Sequence, residues 1–184
     1  MNKPYQVYEN FLEEEYFNDL YKLFTGYHNP WYYQPRSADM DGTFDFDFMF
    51  AHKIYDHKTG IHSPLWNDLQ KLILKVGITA GKTNVMRAKA NLYTIQSEKQ
   101  IHQKHTDYPV EAETGYKTAV FNFNTCDGGT IFYVDGKEDF IPSIANSVVI
   151  FDGPTEHAGV TQTNSNIRCL LNLDYNDGEF LGEY

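Results

Sequence analysis

Two histidines, one aspartate and one arginine set the chemistry available to this chain. His105-Thr-Asp107 places an imidazole and a carboxylate two residues apart. In an extended segment side chains at i and i+2 point the same way, so these two project together while Thr106 faces away. One imidazole nitrogen and one carboxylate oxygen are two of the three ligands of a 2-His-1-carboxylate site. That arrangement leaves coordination positions open and suits non-haem Fe(II). His157 follows the turn signal Asp152-Gly-Pro154, where one strand ends and the next begins, and is a candidate for the third ligand. Taken alone, the His-x-Asp pair also describes a surface loop with two polar side chains.

Arg168 separates the readings. It sits in Ile167-Arg-Cys-Leu-Leu-Asn-Leu173, where alternation puts Arg168, Leu170 and Asn172 on one face and Cys169, Leu171 and Leu173 on the other. Both faces are apolar enough for the strand to be covered on both sides. A buried guanidinium is costly without an anion, and its planar fork matches a carboxylate bidentately. A ligand carboxylate explains it; an ion pair with an acid elsewhere in the chain is the alternative.

The elements that must position these residues are mostly strands. After an extended start over 4–9, Phe11, Leu12, Tyr16, Leu20, Leu23 and Phe24 recur at spacings of three and four, predicting a helix over 12–24 with Gly26 beyond its end. Ser63-Pro64 opens a second helix, expected to run to Gly77. Residues 43–50 alternate Phe and acid, so they read as a strand with Asp45 and Asp47 on its polar, solvated face. Short strands are expected over 85–95, 117–124, 130–134, 139–141, 147–151, 158–163 and 167–175, with Asp135-Gly136 as a hairpin turn. Such a run without intervening helices gives a mainly β (α+β) sandwich or jelly roll with the N-terminal helices packed outside. The chain reads as one domain over 1–184, with 1–80 as helical or irregular support and 81–178 as the jelly-roll core.

Composition narrows the function classes. The chain has 184 residues, enough to bury a core without disulfides, and 16% aromatic content, which excludes a disordered chain. Cys126 and Cys169 match no metal or redox spacing, consistent with a reducing, cytoplasmic setting. No apolar stretch reaches membrane-span length and no signal peptide is evident. A net charge of −10 disfavours nucleic acid, since the densest basic region (Lys82, Arg87, Lys89) is sparse, and favours a neutral or cationic substrate. Among the other histidines, His102 lies three residues before His105, an offset that turns it to the outer strand face. His52 and His57 have no evident partners. The segment 31–36 reads equally as a lid, a substrate wall or a packing element.

The ordered set His105-x-Asp107, Gly128-Gly129, His157 and Arg168 resembles the Fe(II)/2-oxoglutarate-dependent oxygenases, in particular their prolyl-4-hydroxylase-like branch. The opening Val7-Tyr-Glu-Asn-Phe-Leu12 before an acidic helix looks like that branch's amino-terminal segment. The resemblance spans most of the chain and is strongest over 92–175. It implies a double-stranded β-helix in which His105, Asp107 and His157 bind Fe(II) and Arg168 pairs with the distal carboxylate of 2-oxoglutarate. Tyr93 matches the family's tyrosine donor to the cosubstrate. Asn122 stands where a second tyrosine contact is common, and Asn172 where a small polar residue is common. The activity implied is hydroxylation of a C–H bond, with O2 consumed, succinate and CO2 released, and ascorbate as an optional reductant. The substrate is a peptidyl proline or a small molecule, and oligomeric state is not legible. Two other readings stay open at this point: a non-enzymatic cupin-like jelly roll that binds a small acid or sugar, and a partner-binding β-domain with a vestigial site.

Overall fold

The computed structural model describes residues 3–37, 47–107 and 115–177. In chain order the elements are β1 (Tyr5–Tyr8), α1 (Glu14–Thr25), β2 (Tyr32–Gln34), β3 (Met49–Asp56), β4 (Gly60–Ile61), α2 (Leu65–Asp68), α3 (Gln70–Ala80), β5 (Asn84–Thr94), β6 (Lys117–Asn122), β7 (Gly129–Val134), β8 (Lys137–Pro142), β9 (Ser147–Asp152), β10 (His157–Val160) and β11 (Ile167–Asn176). The strands form two antiparallel sheets. The larger has the order β1-β9-β6-β11-β5-β3-β2, with β4 added to β3; the smaller has the order β10-β7-β8. This is the two-sheet jelly roll, a double-stranded β-helix.

Alternation along β11 explains the layers. Cys169, Leu171 and Leu173 face the core that the larger sheet shares with α1 and α3. Leu20 and Phe24 of α1 and Leu72, Ile73 and Val76 of α3 complete that core, and Phe24 stacks on Phe123 with ring centroids 4.4 Å apart. Each such side chain stabilises by about 1.5–3 kcal/mol on burial. Leu170 faces the other way, into a second core between the sheets with Tyr5, Val120, Phe132, Val149 and Phe151. Arg168 and Asn172 share the Leu170 face, as the alternation predicts.

Several boundaries differ from expectation for identifiable reasons. The second helix does not stop at Gly77. Ser63 Oγ accepts from the Leu65 N–H at 3.2 Å and starts α2, a break at Leu69 leads into α3, and α3 runs on to Ala80. Gly81 ends it with φ +67°, and the Lys82 N–H closes the turn on the Gly77 carbonyl at 2.9 Å. Gly77 itself lies mid-helix, where an added Cβ would meet the Lys82 carbonyl oxygen at 2.9 Å. The first 80 residues also supply strands: β1 pairs with β9, and β3 pairs with β5, so this part widens the larger sheet as well as supporting it. The first half of the expected strand over 43–50 lies outside the described residues; within them β3 begins at Met49. Asp135 (φ +51°) and Gly136 (φ +73°) form the β7–β8 turn, the primed geometry that Asp-Gly favours.

Candidate metal centre and its cavity

The segment over 101–107 runs beside β10, held by two isolated bridges, Ile101 to Val160 and His105 to His157. The second bridge is reciprocal. Each histidine N–H donates to the other's carbonyl at 2.9 Å, so the backbone itself clamps the two imidazoles together. Their ring centroids lie 4.5 Å apart. His105 Nδ1 donates to the Gln103 carbonyl at 2.9 Å and His157 Nδ1 to the Thr155 carbonyl at 3.0 Å. A carbonyl only accepts, so both Nδ1 atoms carry protons and both Nε2 lone pairs are left for another partner.

Asp107 closes the set. One ligand atom each from His105, Asp107 and His157 lies within 4.8 Å of the others, and Asp107 Oδ2 stands 3.5 Å from His157 Nε2. That Oδ2 is buried and makes no hydrogen bond. Burial works to raise the Asp107 pKa, but His157, Arg87, His105 and Lys89 outweigh it and hold the carboxyl below its ordinary value. Burial, reinforced by His157, lowers the His105 pKa. Near neutral pH this leaves an ionised carboxylate and a neutral His105 ring, the protonation states metal ligands need. A divalent ion fits these donors and satisfies the orphaned oxygen. Phe151 packs against the His157 ring at 4.8 Å and Phe132 at 6.0 Å, walling the centre from the core side.

The centre opens on a cavity of about 780 Å³. Arg168 reaches into it from β11 and is 2% exposed. Its Nη2 donates to Thr130 Oγ1 at 3.3 Å, its Nε has no hydrogen-bond partner, and among the described residues it forms no ion pair. Burial draws its pKa below the usual arginine value. The sequence alternative of an internal acid partner thus finds no support among the described residues. Tyr93 is Arg168's register partner on β5, and the guanidinium lies 5.6 Å from the ring centroid. Burial raises the Tyr93 pKa, so its hydroxyl keeps the proton it can donate. Asn172 lines the same cavity with a buried, unpartnered Oδ1. Asn122 is not brought there. Its Nδ2 donates to Ser147 Oγ at 3.2 Å and its Oδ1 accepts from Ser143 Oγ at 3.0 Å, so both ends are engaged by serines beyond the cavity end of β6.

Two other expectations need correction. His102 is not on an outer face: it is 4% exposed, lines the cavity, and packs 5.1 Å from the Tyr93 ring. Period-two logic fails because 101–107 is bridged at two points and is not a regular strand. Asp47 is not solvated either. It is 1% exposed, lies 2.8 Å from His102 Nδ1, and accepts from Ser37 Oγ. Burial lowers the His102 pKa while Asp47 opposes the change. Of the 31–36 segment, Trp31 packs against the helix-side core, while Gln34, Pro35 and Arg36 form cavity wall. His52 and His57 have partners after all, the Pro30 and Met86 carbonyls.

Sequence reasoning missed the polar floor of the cavity. Arg87, Lys89, Asn91 and Tyr93 alternate along β5 and all face inward, while Ala88 and Ala90 face the helices. Arg87 Nε donates to Asp174 Oδ2 at 2.6 Å, and its Nη2 lies 3.4 Å from Asp107 Oδ1. The signal was present as period two with alanines on the opposite phase. The cavity therefore departs from the chain's acidic average, and the expectation of a neutral or cationic substrate does not carry over to it.

No protein-family model matches the chain, and no curated protein matches its sequence. Solved structures do match. An oxidoreductase of the 2OG-Fe(II) oxygenase family from Burkholderia pseudomallei aligns with TM-score 0.71 at 12% identity, covering 96% of this chain and 86% of that one. A Pseudomonas putida prolyl-4-hydroxylase aligns with TM-score 0.63 at 14% identity over 95% and 93% of the two chains. A Trichoplax adhaerens prolyl hydroxylase, solved with a hypoxia inducible factor peptide fragment, aligns with TM-score 0.65 at 14% identity over 95% and 84%. This chain has the fold of the 2-oxoglutarate- and Fe(II)-dependent oxygenases, and its structural neighbours include their prolyl-hydroxylase branch.

Proposed function

We propose that the protein is an Fe(II)- and 2-oxoglutarate-dependent dioxygenase that hydroxylates a C–H bond. The observation that carries the reading is the convergence of three ligand atoms from His105, Asp107 and His157 within 4.8 Å, beside a buried arginine with no counter-charge among the described residues. Bound there, iron would activate O2 with 2-oxoglutarate as the electron source, giving succinate and CO2. The chain's own residues supply the positioning. The two Nδ1–carbonyl bonds aim the imidazoles, Arg168 and Thr130 receive the distal carboxylate of the cosubstrate, and Tyr93 donates from the neighbouring strand. Asn172 offers a further polar contact, whereas Asn122 is occupied by Ser143 and Ser147. Phe132 and Phe151 exclude water from behind His157.

The prolyl-hydroxylase neighbours favour a prolyl residue in a peptide as substrate, with a free small molecule as the other class. The test is Fe(II)-dependent conversion of 2-oxoglutarate to succinate across a substrate panel. Wild-type protein is expected to give succinate, and Asp107→Ala to give none. Wild type that retains 2-oxoglutarate equally well with and without metal, and never yields succinate, would instead be a binding module.

A further inference from the structure

The proposed chemistry uses the triad, Arg168 and Tyr93, with Asn172 as a polar contact shared between the two ends of the cavity, and leaves one cation on the cavity floor unexplained. Lys89 projects from β5 into the cavity. Among the described residues its ammonium makes no hydrogen bond and no ion pair. Its charged neighbours are otherwise committed. Arg87 is held by Asp174 and Asp107, and Lys104 by Glu156 at 3.0 Å. Burial, with Arg87 adding to it, lowers the Lys89 pKa to about 8 even though Asp107 and Asp174 oppose the shift. A charge held half out of water without a partner destabilises the fold, so its presence calls for a ligand.

Two amides flank it. Asn172 is the register partner of Lys89 on β11, and Asn91 lies two residues along β5 on the same face. Both side chains line the cavity and each has a buried Oδ1 with no hydrogen-bond partner, although buried amides are ordinarily satisfied. An asparagine can present either its NH2 or its carbonyl. Lys89 stands four residues from Tyr93, the register partner of Arg168, so about 13 Å of strand separates the two anion positions.

We propose that Lys89, flanked by Asn91 and Asn172, binds a carboxylate of the substrate, so that the enzyme acts on an acid. The inference rests on the dioxygenase reading for what happens to that substrate, but the carboxylate contact itself needs no metal. The source of the carboxylate is a free small acid or an acidic residue of a peptide.

Binding by ligand-observed NMR tests it, using matched probes that differ only in charge. One pair is N-acetyl-proline and its carboxamide; the other is a capped four-residue peptide holding one glutamate and its glutamine counterpart. Both pairs are measured on protein loaded with Zn(II) and 2-oxoglutarate and on metal-free protein. At least one acid is expected to bind about tenfold tighter than its amide. That preference is expected to vanish in Lys89→Met, to persist in Lys89→Arg, and to leave 2-oxoglutarate affinity unchanged. Preference within the first pair alone identifies a free acid, and within the second an acidic peptide. Equal binding of acid and amide by wild type overturns the proposal, as does a preference that survives Lys89→Met. Weakened 2-oxoglutarate binding in Lys89→Met also overturns it, by assigning the lysine to the cosubstrate. Wild type that takes up neither metal nor 2-oxoglutarate refutes the dioxygenase reading, while the metal-free comparison still decides the role of Lys89.

Discussion

Each imidazole of the candidate metal centre is fixed at both ends. Its backbone belongs to the His105–His157 bridge and its Nδ1 is spent on a carbonyl two residues back, so little freedom remains for Nε2. Asp107 is restrained from the far side by Arg87, which also grips Asp174. Residues that orient a ligand typically change metal affinity by about 10–100-fold when removed. Arg87→Gln is therefore expected to weaken Mn(II) binding by about tenfold in a calorimetric titration, with the His105–His157 pair intact. Arg168 makes a separate prediction. Arg168→Met removes a fork-like partner for a carboxylate and should raise the 2-oxoglutarate Kd by about 10–100-fold while metal affinity holds. Because the guanidinium is buried without an ion pair among the described residues, the same variant is expected to melt no lower than wild type. A lower melting temperature together with unchanged 2-oxoglutarate affinity would mark Arg168 as structural.

At the scale of elements, the β7–β10 pairing presents Thr130 and His157 on one wall, and β8 closes the other edge of β7. Gly129 permits the close approach of β8. A Cβ there would come within 2.2 Å of the Ile141 carbonyl oxygen and 2.8 Å of the Phe140 ring, so the β7–β8 pair could not keep its register spacing. Gly129→Ala is expected to destabilise by about 1–3 kcal/mol in thermal or denaturant unfolding. An unaltered midpoint would show that the strands yield without cost. Much of this architecture is legible in the sequence, because period-two patterns such as Ile167 to Leu173 encode both faces of a strand. The shared side of His105 and Asp107 and the inward face of Arg168 were readable for the same reason, and His157 from the turn signal before it. What escaped were features that depend on irregular backbone or on distant partners. His102 obeys no strand period, Asp47 is buried where His102 and Ser37, distant in sequence, meet it, and Asn122 is claimed by two serines from the β8–β9 turn region. Lys89 and Asn91 were visible as alternating residues, but nothing local says that their face looks into a cavity.

The whole molecule is three layers, helices on the larger sheet and the smaller sheet across a partly polar interior. Its charge is arranged unevenly: the chain carries −10 overall, yet Arg36, Arg87, Lys89, Lys104 and Arg168 line the cavity against Asp107 and Glu156. Stability should register this. Lys89 has a folded-state pKa of about 8, well under its ordinary 10.5. Between those values the unfolded chain holds a proton that the folded one has lost, so stability rises with pH through this window. The melting temperature of wild type relative to Lys89→Met is thus expected to increase by a few degrees from pH 7 to pH 10, about 1 kcal/mol being worth 2–4 °C at this size. A difference that stays flat or falls would mean the ammonium is better solvated than its surroundings indicate. The most direct test of the account as a whole is anomalous scattering from crystals grown with Mn(II) and 2-oxoglutarate. One peak is expected about 2.0–2.3 Å from Nε2 of His105, Nε2 of His157 and a carboxylate oxygen of Asp107, with the diacid reaching Arg168. No peak among these three side chains, or a metal held by other residues, would contradict it.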